Sequence, residues 1–121
     1  MSKKFSINDR LKSFAYAWAG LQQVFSSEHN MWIHLVLTMS AGLFGLLFHI
    51  SRIEWMLLII VIALVWMAEL FNTAIEKIMD FTSREKHPQI KIIKDVSAAA
   101  VLIASFAALL TGCIIFLPKI F

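Results

Sequence analysis

Cysteine, proline and glycine are all scarce in these 121 residues: one Cys, two Pro and four Gly. The single thiol, Cys113, excludes an intrachain disulfide and a cysteine-based metal centre, and its place inside an apolar run reads as packing. With prolines only at 88 and 118, the apolar runs before residue 88 have no proline to break them. Gly20, Gly42, Gly45 and Gly112 form no phosphate-binding loop, so a nucleotide would have to be held by side chains. His29, His34, His49 and His87 lack a paired spacing such as H-E-x-x-H, which disfavours zinc. Charged residues are few as well, 16% against 60% hydrophobic, with a mean hydropathy of +0.76. That balance excludes an ordinary soluble domain and points to an integral membrane protein. The net charge of +3 is not gathered into a basic tract, so nucleic acid is not the expected partner. The polar start, Met-Ser-Lys-Lys-Phe-Ser, and the absence of a small-residue cleavage pattern argue against a cleavable signal peptide.

The stretch that carries chemistry is Glu-Leu-Phe-Asn-Thr-Ala-Ile-Glu-Lys-Ile-Met-Asp, residues 69 to 80. At about 100° per residue, Glu69, Asn72, Thr73, Glu76 and Asp80 share one face of a helix. The stripe begins where the apolar run from Glu54 to Ala68 ends. A carboxylate inside a bilayer costs about 2.5 kcal/mol or more near its centre, so a functional site is the first reading. The solvated end of a long helix would explain Asp80, but Glu69 and Asn72 are flanked by Trp66, Leu70 and Phe71.

At about 20 residues per span there is room for three transmembrane helices and one surface helix, an all-α single membrane domain over 1–121. Residues 8–26 read as an amphipathic surface helix capped by Asn8 or Asp9. Phe14, Ala17, Trp18, Leu21, Val24 and Phe25 recur at spacings of three and four, and the bases nearby suit an anionic leaflet. A polar joint follows at 26–30, with Ser27 or Asn30 as caps for the next helix. The first span is expected over 31–50, with His34 as an interfacial or packing residue. A very short turn at Ser51-Arg52 makes the next helix, 54–80, its antiparallel neighbour. The third helix, 89–117, should start at Pro88 and stop before Pro118. Its many small residues, from Ser97 to Gly112, suggest the centre of a bundle or a contact between copies.

Nine of the eleven bases (Lys3, Lys4, Arg10, Lys12, Lys77, Arg84, Lys86, Lys91 and Lys94) lie on one side of these spans; Arg52 and Lys119 lie on the other. The positive-inside rule then puts the N-terminus and the 82–95 loop in the cytoplasm and the C-terminus outside. Glu28, Glu69, Asn72, Glu76, Lys94 and Asp95 would gather at the cytoplasmic interface. Such a set suits a hard cation with phosphate oxygens completing its shell, and hence Mg-nucleotide. Glu28 and Glu76 could hold metal, Lys94 could meet phosphate, and Glu69, the deepest, could take a proton from a lipid hydroxyl. Spacing alone leaves a cation-dependent membrane enzyme or a cation carrier, with a small structural membrane protein as the non-enzyme alternative. A carrier needs polar residues along its path, and Trp55 to Trp66 offers none.

Together, Glu28 with Asn30 and His34, the run Glu69-Leu-Phe-Asn-Thr-Ala-Ile-Glu76 with Asp80, and His87-Pro88 followed by Lys94-Asp95 and Ala100-Val101 resemble the prokaryotic diacylglycerol kinase and undecaprenol kinase family. The resemblance covers about residues 10 to 118. Ile53-Glu54-Trp55-Met56, Asn72-Thr73-Ala74, His87-Pro88 and Phe116-Leu117-Pro118-Lys119 look most like the undecaprenol kinase branch. It implies an ATP- and Mg²⁺-dependent lipid kinase of the bacterial inner membrane, a homotrimer whose active sites are shared between subunits. Glu69 matches the family's catalytic base, and Glu28 with Glu76 its metal carboxylates. Arg10, Tyr16, Glu28, Asn72, Glu76, Glu85, His87, Lys94 and Asp95 match nucleotide-binding positions. Ala99 and Met31 depart from the pattern of the undecaprenol branch. On the branch motifs the acceptor is expected to be undecaprenol, and these departures keep diacylglycerol as the alternative.

Overall fold

The computed structural model describes residues 4–83 and 85–121. Two of the nine clustered bases, Lys3 and Arg84, lie outside the described residues. Four helices account for almost all of the rest: α1 (Ile7–Ser27), α2 (His29–Leu47), α3 (Arg52–Thr82) and α4 (Pro88–Ile120). The architecture is all-α, and α2, α3 and α4 are each long and apolar enough to cross a membrane. The chain divides into two compact units, residues 1–33 and 34–121.

In the first unit, α1 is capped by Ser6 rather than by Asn8 or Asp9. The Ser6 hydroxyl accepts from the Asp9 amide at 3.4 Å, and Arg10 N–H closes the first turn on the Ser6 carbonyl at 3.2 Å. Asp9 thereby falls in the first turn, where its negative charge faces the helix N-terminus favourably. The polar joint expected at 26–30 contracts to Glu28, the one residue between α1 and α2. Its extended backbone donates to the Val24 carbonyl and accepts from Met31 N–H, at 2.8 and 3.3 Å. Ser27 and Asn30 are not needed as caps. Across this turn Trp32 packs edge-on to Phe25 at 5.1 Å between centroids, and its indole N–H donates to the Phe25 carbonyl at 3.0 Å.

In the second unit, α2 ends at Leu47, three residues short of the expected limit. His49 takes a left-handed conformation (φ 50°). Ile50 N–H reaches back to the Gly45 carbonyl at 3.2 Å and His49 N–H to that of Leu46 at 3.4 Å. This is a Schellman cap with histidine in the position glycine usually takes. Gly45 is needed for another reason: a Cβ there would lie 2.6 Å from Trp55 Cη2. The indole therefore seats on the α2 backbone as the chain turns into α3. Ser51 accepts from Glu54 N–H at 3.2 Å and Glu54 answers with a bond from Ser51 N–H at 2.9 Å, a capping box that starts α3 two residues early.

No proline or glycine interrupts α3 over its 31 residues. Pro88 opens α4 as expected, with His87 as its N-cap. The helix passes Pro118 instead of stopping before it. In the last turn a proline removes only one intrahelical bond, and Phe121 N–H still closes on the Leu117 carbonyl at 3.0 Å.

The antiparallel pair α3·α4 carries the packing, bolted near both ends by ion pairs. Lys119 meets Glu54 at 2.8 Å and Lys94 meets Asp80 at 2.7 Å. The two intervals, 54 to 80 and 94 to 119, both measure close to 40 Å at 1.5 Å per residue, so the ties agree on one register. Ile50, Leu58 and Ile115 form a small buried cluster flanked by Phe48 and Phe116, and Phe44 packs on those two rings, the centroids 6.1–6.4 Å apart. The small-residue helix α4 is not a bundle centre within one chain. Only Ser97 and Ile115 on it are buried, and Leu102, Ile103, Leu109 and Ile114 face outward.

Candidate active site

Of the stripe acids of α3, Glu69 and Asp80 are held by partners on the helices beside it and Glu76 by a neighbour on α3 itself. Glu69 is buried, only 7% exposed, and its Oε1 lies 2.8 Å from His34 Nε2 on α2. Just over one turn onward on the same stripe, Thr73 is buried as well. One turn beyond Glu69, Asn72 is gripped from two sides. Its amide Nδ2 donates to Glu76 Oε1 at 3.2 Å, and its Oδ1 accepts from the Ser97 hydroxyl of α4 at 2.7 Å. At the end of the stripe Asp80 holds Lys94. One helix face thus carries a buried carboxylate, a carboxylate–amide–hydroxyl chain and an exposed ion pair in succession.

The remaining expected site residues of this unit sit nearby in sequence with local duties. Asp95 pairs with Lys91 along α4 at 2.6 Å. His87 Nδ1 accepts from Gln89 N–H at 3.1 Å as the α4 cap, which leaves the proton on Nε2. Glu85 N–H donates to the Ser83 hydroxyl. The unit of residues 1–33 carries Arg10, Tyr16 and Glu28. Arg10 lies 5.9 Å from the Phe5 ring centroid, Tyr16 is exposed on α1, and Glu28 is the joint described above. Among the described residues no group of three or more His, Cys, Asp or Glu is placed to hold a metal ion.

Beside the Glu69–His34 pair runs an apolar groove of about 600 Å³ between α2, α3 and α4. His34 and Thr38 line its polar end, Leu58, Ile62 and Val65 one wall, and Gly112, Cys113 and Phe116 the other. Trp66 donates its indole N–H to Thr38 Oγ1 at 2.9 Å, and Thr38 donates to the His34 carbonyl at 2.7 Å. The pairing of His34 with Glu69 is the feature that the sequence reading missed. Its signal was present: His34 is the one ionisable residue between Met31 and Leu47. Ser97, read only as a small packing residue, is the other omission.

A buried carboxylate–imidazole pair beside an apolar groove, in a chain with three membrane-length helices, defines the class: an all-α membrane protein. Its sequence matches the profile of the prokaryotic diacylglycerol kinases over residues 15–116. It is 34% identical over 114 residues to the undecaprenol kinase of Bacillus subtilis, covering 94% of this chain and 93% of that one. It is 37% identical over 111 residues to a diacylglycerol kinase of Synechocystis, of which it spans 63%, and 32% identical over 105 residues to that of Escherichia coli K12, of which it spans 86%. The chain belongs to the prokaryotic diacylglycerol kinase family and is a membrane lipid kinase, an enzyme of ATP-dependent phosphoryl transfer. The similarity along almost the whole B. subtilis enzyme supports the undecaprenol kinase branch. The carrier and structural-protein readings give way to the kinase.

Proposed function

We propose that this kinase transfers the γ-phosphoryl group of Mg-ATP to the hydroxyl of undecaprenol at the cytoplasmic face of the bacterial inner membrane. The observation that carries this reading is the groove: its walls are apolar, and its polar end is lined by the histidine that holds Glu69. A cavity of that size suits the leading section of a polyprenyl tail, with the hydroxyl left at the Glu69 end. Glu69 acts as the general base, accepting the hydroxyl proton as the oxygen attacks γ-phosphorus. Glu28 and Glu76 are the carboxylates for Mg²⁺, a hard cation that takes oxygen ligands and shares its shell with phosphates. When bound there, the ion would neutralise charge on the phosphates. Asn72 keeps Glu76 oriented. Lys94, relieved of Asp80, meets the nucleotide phosphates, with Arg10, Tyr16, Glu85, His87 and Asp95 as further nucleotide contacts. The lysine and arginine distribution favours a cytoplasmic N-terminus and 82–95 loop, and an external C-terminus. The outward apolar faces of α4 are consistent with a homotrimer in lipid.

Diacylglycerol is the second reading, favoured by the names of the Synechocystis and E. coli relatives. The deciding experiment is transfer of labelled γ-phosphate from Mg-ATP to each lipid in mixed micelles, with Glu69→Ala as control. Faster labelling of undecaprenol, abolished in the variant, is expected. Preferential labelling of diacylglycerol would reassign the acceptor, and labelling that survives in Glu69→Ala would remove Glu69 from the mechanism.

A further inference from the structure

A carboxylate has two oxygens, and a general base in an apolar site works well only if one of them is kept aimed at the acceptor. Glu69 is attached to a helix by a flexible side chain, so its backbone alone does not choose which oxygen that is. His34 does. Its Nε2 lies 2.8 Å from Oε1, with the histidine side chain 16% and the glutamate side chain 9% exposed. A carboxylate that serves as the base can only accept, so on that reading the shared proton belongs to Nε2 and His34 is the donor.

We propose that His34 is a positioning residue for the phosphoryl acceptor step. By donating Nε2–H to Glu69 Oε1 it fixes the carboxylate plane and leaves Oε2 as the oxygen that takes the lipid proton. This rests on the reading of Glu69 as general base. In the step, the lipid oxygen forms its bond to γ-phosphorus while its proton passes to Oε2. The bond from γ-phosphorus to the β–γ bridging oxygen breaks, and its electron pair leaves with ADP. The His34 N–H stays on Oε1 throughout.

The backbone that carries the imidazole is tied to α3. Thr38 ties back to the His34 carbonyl and accepts from the Trp66 indole, so α2 and α3 are fixed together one turn from the pair. His34 also lines the groove, where Cys113 of α4 is the one other ionisable side chain among the lining residues. The same ring therefore stands between the acceptor's path and the base. A residue that merely packed the two helices together would tolerate an apolar replacement of similar size; a donor would not.

Three variants separate these roles, assayed in lipid nanodiscs with the kcat and KM values for ATP and lipid measured separately. His34→Leu keeps bulk and loses the donor. His34→Asn keeps an amide donor but is one methylene too short to reach Oε1. His34→Gln places an amide N–H close to where Nε2 lies. Loss of one hydrogen bond to a charged group predicts a fall in kcat of roughly 10- to 100-fold in His34→Leu and His34→Asn. KM for ATP should be unchanged, and His34→Gln should recover most of the loss. Equal activity in all three, or His34→Gln as impaired as His34→Leu, would overturn the inference. Since both amide variants are polar and similar in size, the contrast between them holds even if His34→Leu fails to fold. Glu69→Gln is run in parallel. If it is silent while His34→Leu turns over normally, only the inference about His34 fails; if Glu69→Gln itself turns over, the base assignment fails and this inference with it.

Discussion

Ser97 offers the sharpest test of how the proposed cation site is built. Its hydroxyl donates to Asn72 Oδ1 at 2.7 Å, and Asn72 in turn donates to Glu76 Oε1 at 3.2 Å. The first bond decides the second. With Oδ1 occupied by Ser97, the amide has to present Nδ2 to the carboxylate; without it, the amide can rotate by half a turn and set oxygen against oxygen. Ser97 is only 7% exposed, so in Ser97→Ala water has little access to replace the hydroxyl. A neutral hydrogen bond of this kind contributes about 1 kcal/mol, within a range of roughly 0.5–1.5 kcal/mol. If that energy orients Glu76 for Mg²⁺, the metal concentration for half-maximal activity should rise about 2- to 13-fold in Ser97→Ala. Maximal turnover at saturating metal should change little.

The assay is a Mg²⁺ titration of initial rates at saturating ATP and lipid, paired with Mn²⁺ binding followed by electron paramagnetic resonance, which does not need turnover. Asn72→Ala and the double variant close a thermodynamic cycle. Since the two side chains act in series, the double variant should bind metal about as weakly as Asn72→Ala alone. The reasoning fails if the Ser97→Ala titration superimposes on the wild type, or if the two single effects simply add. A fall in melting temperature with unchanged metal affinity would make Ser97 a packing residue and nothing more.

Two further substitutions probe the groove and the turn. Gly112 lines the groove and has nothing within 4 Å of an added Cβ; Gly112→Leu should leave the melting temperature in detergent unchanged while raising KM for undecaprenol more than for a short prenol. At Gly45 an added Cβ would meet Trp55 Cη2 and Cζ2 at 2.6 and 2.8 Å and Ile50 Cδ1 at 3.1 Å; Gly45→Val should cost about 1–3 kcal/mol of stability by overpacking, and Trp55→Leu in the same chain should restore part of the melting temperature.

The features legible in the sequence are those encoded along a single segment. An unbroken apolar run, the acids at helical spacing from Glu69 to Asp80, and proline at the start of a helix each depend on neighbours within a few turns. The ends of the helices were less legible because they depend on competition between nearby groups. Ser6 takes the cap from Asn8 and Asp9, and His49 adopts a left-handed conformation that its type rarely signals. Pro118 is tolerated because it falls in the last turn, where its missing N–H costs one bond. Contacts between helices were illegible for a stronger reason. His34 and Glu69 are 35 positions apart and Asn72 and Ser97 are 25 apart, and each meeting depends on how two helices are rotated about their axes. No period within either segment contains that angle.

The length of α3 then explains how the proposed base, the amide and the proposed metal carboxylate can share one helix without sharing one environment. Glu69 is 17 residues beyond Arg52, or about 26 Å at 1.5 Å per residue, against a hydrocarbon thickness of about 30 Å. With the Arg52 end at one boundary of the bilayer, Glu69 falls just inside the other, and Glu76 falls some 6 Å outside it. The deeper carboxylate therefore has the buried partner, His34, while Glu76, with water and headgroups near, is held by an amide and left free to take a hard cation. On the proposed reading this sorts the reaction by depth. A lipid hydroxyl can reach Glu69 without leaving the membrane, the phosphates can reach Glu76 and Lys94 without entering it, and the transferred group has only the turn of helix around Asn72 to cross. Inserting one helical turn of four residues between Ala68 and Glu69 would keep the stripe on nearly the same face but move Glu69 about 6 Å along the axis, just past the bilayer boundary. It would also part Glu69 from His34. Such a protein should still bind nucleotide and lose transfer to the lipid, and transfer that persisted would show that depth does not govern the site.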